Sequence, residues 1–199
     1  MSAELRISRF VVNKGPDFIR PLSCGEHFFH LYAQIYPVHF SLCAEIEGAI
    51  ASDVLRLALN RVRERHPILK AHIVEDDEFG TAFHASDHPI ELETIAVEED
   101  ADWRPAVERE LKNPMGIEAK TLLRATALCA PETTVIILTF CHAIADGMSG
   151  VWVLHDLMRA LAGEQLEACQ FSTPLEEKIL GASPAPARGW PAHASEADP

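Results

Sequence analysis

The chain has 199 residues, is 48% hydrophobic and carries a formal charge of −13, with 17 lysines and arginines against 30 aspartates and glutamates. That length allows one large domain or two small ones with a proper core, and that composition excludes wholesale disorder. So acidic a balance excludes nucleic acid and anionic membranes as partners, because both demand a basic face. Much of the acid falls in Glu75–Glu78 and in the series Glu91, Glu93, Glu98, Glu99, Asp100 and Asp102. Both read as solvated loops or helix starts rather than a metal cage. Five cysteines without a C-x-x-C pair lie mostly in apolar segments, as small buried side chains in a reducing compartment would. The N-terminus lacks a signal-peptide core, and the longest apolar run, around Val135 to Ala145, is too short to span a bilayer. A soluble, cytoplasmic protein without a transmembrane segment is the expectation.

In chain order, Leu5–Val12 predicts a short strand and Ser23–Tyr36 a helix stopped by Pro37. His39–Ile46 reads as a strand ending at Gly48. Ser52 is placed as the cap of a helix whose apolar stripe is Val54, Leu55, Ala58, Leu59 and Val62, ended by Pro67. Strands follow at Leu69–Val74 and Thr81–Ala85, with the acidic turn and Gly80 between them. Asp100 or Asp102 can cap a helix reaching about Leu111, with Pro105 tolerated in its first turn. Leu122–Cys129 and Thr134–Cys141 read as a hairpin across Ala130–Thr133. The pattern predicts a mixed β-sheet layered with helices. It divides into a domain over 1–170 and a Pro/Ala-rich linker or crossover over 171–199.

The segment Thr134–Gly147 brings a β-branched and aliphatic strand to His142, then turns at Asp146-Gly147 into the helical pattern Val151–Leu161. Strand side chains alternate faces, so Cys141 and His142 point opposite ways and do not form a Cys–His dyad. No Gly-x-Ser-x-Gly elbow supplies a serine. The near-neutral pKa of free histidine suits His142 to act as a general base, against the alternative of a satisfied core histidine. A helical 142–146 would make Asp146 an orienter of the imidazole or a second metal ligand. A turn there would make Asp146 the cap of the next helix near Ser149, or the partner of a distant lysine or arginine. Gly147 offers a positive φ and room for a substrate. Elsewhere, His27 and His30 could pair on zinc but lack a third ligand, and read as amphipathic packing. Val151, Leu154, Leu157, Met158 and Leu161 form a core stripe flanked by His155, and Trp152 reads as packed.

Cys141-His-Ala-Ile-Ala-Asp-Gly147 resembles the His-His-x-x-x-Asp-Gly signature of the condensation-domain and chloramphenicol-acetyltransferase-like superfamily. Ile46-Glu-Gly48, Asp53–Leu59, Arg65-His-Pro-Ile-Leu-Lys70, Asn113-Pro-Met-Gly116 and Leu122–Ala125 are similar to further family segments, in the same order, over most of residues 5–165. The resemblance implies a chloramphenicol-acetyltransferase-like half-domain, with His142 as catalytic base and Asp146 and Gly147 as structural elements of the loop. Lys70 stands where condensation domains often carry an arginine thought to pair with the motif aspartate. Lysine lacks the bidentate fork, so the chain is closer in character to polyketide-associated acyltransferases and alcohol acetyltransferases. Cys141 occupies the first, variable histidine position.

The activity implied is acyl transfer from a thioester to an alcohol or amine, in natural-product or lipid biosynthesis. The donor would be acyl-CoA or acyl-phosphopantetheine on a carrier protein, with no permanently bound cofactor and no metal. Family members are about twice this size, with the site between two similar halves. The chain therefore reads as the N-terminal half, completed by a C-terminal half in the same polypeptide, a second chain or a homodimeric copy, and as nearly inactive alone. A non-catalytic module that docks a carrier protein or a partner subunit is the alternative.

Overall fold

The computed structural model describes residues 17–76, 80–115, 119–171, 173 and 178–179. In chain order they form β1 (Phe18–Pro21), α1 (Cys24–Ala33), β2 (Phe40–Glu47), α2 (Ser52–Arg65), a 3-10 turn (Pro67–Lys70), β3 (Ala71–Asp76) and β4 (Gly80–Ala85). β5 (Glu91–Ala96), α3 (Arg104–Lys112), β6 (Leu123–Cys129), β7 (Thr133–Phe140) and α4 (Gly147–Leu161) follow. The expected strand at Leu5–Val12, part of the acidic turn, Gly116 and nearly all of the 171–199 linker lie outside the described residues.

The strands form two sheets, one ordered β2-β7-β6-β5 and the other β1-β4-β3. Only β5–β6 is parallel; the other pairs are antiparallel. The β6–β7 hairpin sets Leu123 opposite Phe140 and Cys129 opposite Thr134. β7 is central and buried on both faces, which is why it reads as a continuous apolar run rather than an alternating one. Its Ile136, Leu138 and Phe140 share a core with Leu55, Leu59 and Val62 of α2 and with Val153 and Leu157 of α4. Its Val135 and Ile137 face the opposite way, where Trp103, Ala106 and Val107 at α3 cover them. The larger sheet is thus layered between α2 with α4 and α3. A third cluster joins Ile73 and Phe83 of the small sheet to Leu122, Cys141, Ala143 and the partly buried Phe29 of α1. The residues just after β7 therefore lie where the two sheets meet.

Several local expectations are corrected by the packing. Ser52 is the first residue of α2 and Ala51 is its cap, without a side-chain bond. Val54 lies outside the buried stripe, being 47% exposed, while Leu55, Ala58, Leu59 and Val62 fill it. Trp103 rather than an aspartate stands at the cap of α3, although Asp102 accepts from the Arg104 N–H at 3.0 Å. Glu91 and Glu93 belong to β5, an edge strand paired to β6, and not to a loop. On α4 the buried positions are Gly150, Val153, Asp156, Leu157 and Ala160, which leaves Val151 and Trp152 exposed. Cys24 and Cys169 are exposed, and Cys141 alone among the five is fully buried.

Candidate functional site

His142 lies just beyond the end of β7, where the Cys141 N–H donates to the Leu122 carbonyl at 2.9 Å and the Ile144 N–H to Cys141 at 3.1 Å. Residues 142–144 form a turn, so the helical alternative for 142–146 is not adopted. The half-buried imidazole is clamped by aromatic rings. Phe29 of α1 stacks on it with centroids 4.2 Å apart and planes 3° from parallel, and Phe40 of β2 meets it edge-on at 5.2 Å. Its Nδ1 is buried and without a hydrogen-bond partner among the described residues. Cys141 takes the other direction, into the core of the small sheet, and burial raises its thiol pKa. A raised pKa disfavours the thiolate that a cysteine nucleophile needs.

Asp146 caps α4, accepting from the Ser149 N–H at 2.7 Å, while its carbonyl accepts from the Gly150 N–H. The Ser149 N–H is the main reason that its carboxyl pKa lies below the ordinary value. Lys70, the partner weighed for Asp146, is bonded to Glu64 instead. Asp146→Ala is expected to cost about 1 kcal/mol, or about 2–4 °C in Tm. A depressed carboxylate pKa stabilises the fold above its unfolded value and loses that effect as the pH falls through the folded one. The deficit of the variant should therefore shrink in acid, which thermal melts at pH 3 and pH 7 would read.

Gly147 does not adopt a positive φ, and a Cβ there would meet no atom within 4 Å. Its backbone does not demand glycine. Gly150 is the constrained one. A Cβ would come within 2.9 Å of Leu42 Cδ1 and 3.1 Å of Phe40 Cε2, the same ring that meets His142.

Two polar clusters stand around this core. Asp156, buried on α4, accepts from Arg65 Nε at 2.5 Å and from an Arg159 NH at 3.1 Å, and lies 2.9 Å from His66 Nε2. Burial by itself would raise its pKa, but the bonds from Arg65 and His66 outweigh it and hold the carboxyl below the ordinary range. Arg65 also donates to the Glu167 carbonyl, and its own carbonyl accepts from Cys169, which ties the chain after α4 to the end of α2. The second cluster holds buried Glu110 with Thr126 and Arg124, and brings the Glu110 carbonyl to 3.0 Å from His39 Nε2.

His27 and His30 bond to different partners, and His30 Nε2 also lies 3.7 Å from a Glu75 carboxylate oxygen. His27 lies 3.3 Å from the Thr81 hydroxyl and buried His30 3.4 Å from Gln34 Nε2, and no cluster of three metal-ligating side chains occurs among the described residues. Glu26 instead completes the capping box of α1 with Ser23 and pairs with Arg20 through both oxygens at 2.7 Å. The outer face of α1 exposes Phe28, Leu31 and Tyr32 and the turn after it exposes Ile35 and Tyr36, with Phe28, Tyr32 and Tyr36 forming a ladder of ring contacts. The aromatic clamp was not legible in spacing, because Phe29, Phe40 and His142 sit on separate elements.

The condensation-domain family model matches residues 28–173. The chain belongs to the condensation-domain family. Lys70 falls within that match. Polyketide synthase PksN of Bacillus subtilis strain 168 is 26% identical over 148 residues, which are 70% of this chain and 3% of that protein. Among solved structures, the first condensation domain of the calcium-dependent antibiotic synthetase, in complex with a substrate analogue, is similar. It superposes with a TM-score of 0.67 at 20% identity, over 83% of this chain and 44% of that one. A starter condensation domain of rhizomide synthetase in complex with C8-CoA gives 0.64 at 19%, over 77% and 38%. This condensation domain thus spans less than half the length of the solved ones it matches. None of its described helices is long and apolar enough to cross a membrane.

Proposed function

We propose that this chain is the N-terminal half of a condensation-type acyltransferase and that His142 is its general base. One observation carries the reading: a condensation-family histidine stands at the end of a rigid, doubly buried strand, oriented by two aromatic rings rather than by a carboxylate. The imidazole accepts the proton of an alcohol or amine as that group attacks the thioester carbonyl. The tetrahedral intermediate then collapses with cleavage of the C–S bond, and the imidazolium returns the proton to the departing thiolate. The products are an ester or amide and a free thiol. Phe29 lies where its ring face attracts the imidazolium formed in this step.

The donor is an acyl thioester of CoA or of a carrier-protein phosphopantetheine; a C8-CoA complex of a structural neighbour supports that class. The exposed apolar ladder of α1, adjacent to the ring that clamps His142, is the face for a C-terminal half that completes the site. The test is incubation of the native protein with acyl-CoA or acyl-pantetheine and a panel of amines and alcohols, with products read by mass. An ester or amide is expected when the second half is present. A carrier protein bound without any product would instead favour the docking module. Phe29→Leu should lower kcat on the order of 3–10-fold with little change in KM, and Phe29→Tyr should restore it. A KM-only effect, or no rescue by tyrosine, would remove Phe29 as the positioning ring.

A further inference from the structure

Beside β3 opens a cavity of about 640 Å³, walled by His72–Glu75 of that strand, by Ala85–Pro89 beyond β4 and by Lys120 before β6. None of these residues borders the crevice at His142, which Ala33, His39, Met115 and Cys141 line. Successive strand residues turn to opposite faces, so four in a row border one space only along the edge of their strand. Ile73 makes the distinction plain. Its side chain is buried with Phe83, Leu122 and Cys141, and with Ala33 it borders a second cavity beside Cys141. What it offers the larger groove is its edge.

Among the described residues β3 pairs with β4 alone. In such a strand alternate N–H and C=O groups point away from the ladder, a template for one more strand. Two other edges are guarded. β1, across the same sheet, is four residues long and ends in Pro21, and β5 in the larger sheet carries Glu91 and Glu93. Over His72–Val74, β3 has neither a proline nor an acid. The groove is also unequal in charge along its length. At one end the Glu75 side chain is 62% exposed and opens the acidic run Glu75–Glu78, while accepting from the Thr81 hydroxyl at 3.3 Å and lying 3.7 Å from His30 Nε2. At the other end Ser86 closes the groove, its N–H donating to the Lys70 carbonyl and its hydroxyl to the Lys120 carbonyl, both at 2.7 Å. There Lys120 and Asp87 oppose each other in sign. The acidic bias therefore sits at Glu75.

We propose that the edge of β3 receives an extended segment of a partner protein as an added antiparallel strand. That segment has a basic residue at its N-terminal end, beside Glu75, and apolar residues along Ile73 and Val74. An antiparallel strand runs from Glu75 toward Ala71, so its first residue is the one that meets the acid. Main-chain pairing supplies the affinity, and the contact with Glu75 fixes the direction. A helix laid in the groove would leave the edge groups unpaired, and an acidic segment would meet like charge. The site stands apart from the acyl-transfer reading: it makes the chain a docking platform whether or not His142 acts as a base.

The experiment is an NMR titration of the native protein with the peptide acetyl-Arg-Val-Ile-Thr-Ser-amide. The amide resonances of His72–Glu75 should move, and cross-strand Hα–Hα contacts should join β3 to the peptide. Glutamate in place of the peptide's arginine should weaken binding about fivefold. Glu75→Gln, at a largely exposed side chain, should erase that difference. Two further peptides carry N-methyl groups on alternate amides and need no change to the protein. The one methylated on the amides that face β3 should lose about tenfold in affinity, and the other should bind as the parent does. Unmoved β3 amides, equal binding by the two methylated peptides, or a preference for the glutamate peptide would each overturn the proposal. Sedimentation of the native protein as a dimer that the peptide dissociates would overturn it too, by assigning the edge to a second copy of the chain.

Discussion

His142→Ala should lower kcat by about 10²–10⁴-fold, the range that a positioned general base contributes. Transfer to an amine or alcohol in the completed enzyme, followed by loss of the thioester, is the measurement. Tm should change little, because the imidazole is half-buried and makes ring contacts rather than hydrogen bonds to the protein. Among the described residues no carboxylate hydrogen-bonds the His142 ring, although the imidazole is close enough to Asp146 to contribute, as the smallest cause, to the lowering of that carboxyl's pKa. A His–Asp pair would predict parallel losses for His142→Ala and Asp146→Ala. Here Asp146 bonds the Ser149 N–H, so its replacement should act first on stability and on rate only through the loop. A rate within tenfold of native for His142→Ala would exclude the histidine as the base. An equally large rate loss for Asp146→Ala at unchanged Tm would draw that carboxylate into the chemistry.

Asp156→Asn should be the most destabilising single change considered, by about 3–5 kcal/mol. The carboxylate is 3% exposed and takes bonds from Arg65 and Arg159 with His66 beside it, so the neutral amide would leave the Arg65 guanidinium without its anion, while Arg159 keeps Glu164 at 2.8 Å. Chemical denaturation at pH 7 would measure the loss. The acid side follows by sign. Asp156 has a depressed pKa, so its contribution is present above the unfolded aspartate value, near 4, and is lost as the pH falls through the lower folded value. Native and variant stabilities should therefore converge below about pH 4. A gap that stays constant down to pH 2 would mean that the asparagine acts through packing and not through charge.

The strand–histidine–turn–helix segment was legible because it is local. A doubly buried strand needs an uninterrupted apolar run, a turn needs Asp-Gly or its equivalent, and the Asp146 cap follows from the three-residue reach of a carboxylate to Ser149. The hairpin from β6 to β7 and the stop at Pro67 were legible for the same reason. β5 was missed because its alternate glutamates signal solvent, while a parallel edge strand needs only one covered face. Trp152 and Val151 were misplaced because apolar type does not say which side of a helix faces the sheet. The signal for Asp156 was present all the same: it falls with Val153, Leu157 and Ala160 at helical spacing, a charge within a buried stripe.

By itself the sequence determined the alternation of strands and helices, the family resemblance and the histidine at the end of a buried strand. Those depend on local patterning and on residues close along the chain. Only the tertiary structure decided what surrounds that histidine. Phe29 and Phe40 clamp it from two other elements, Lys70 turns to Glu64, Arg65 and His66 close on Asp156, and Ala33, Ile73 and Leu122 meet around a cavity beside Cys141. Apart from Lys70 and Glu64, six residues from each other, these neighbours lie tens of residues apart in the chain. What brings them together is the packing of two sheets and their helices against one another, which no short-range pattern encodes.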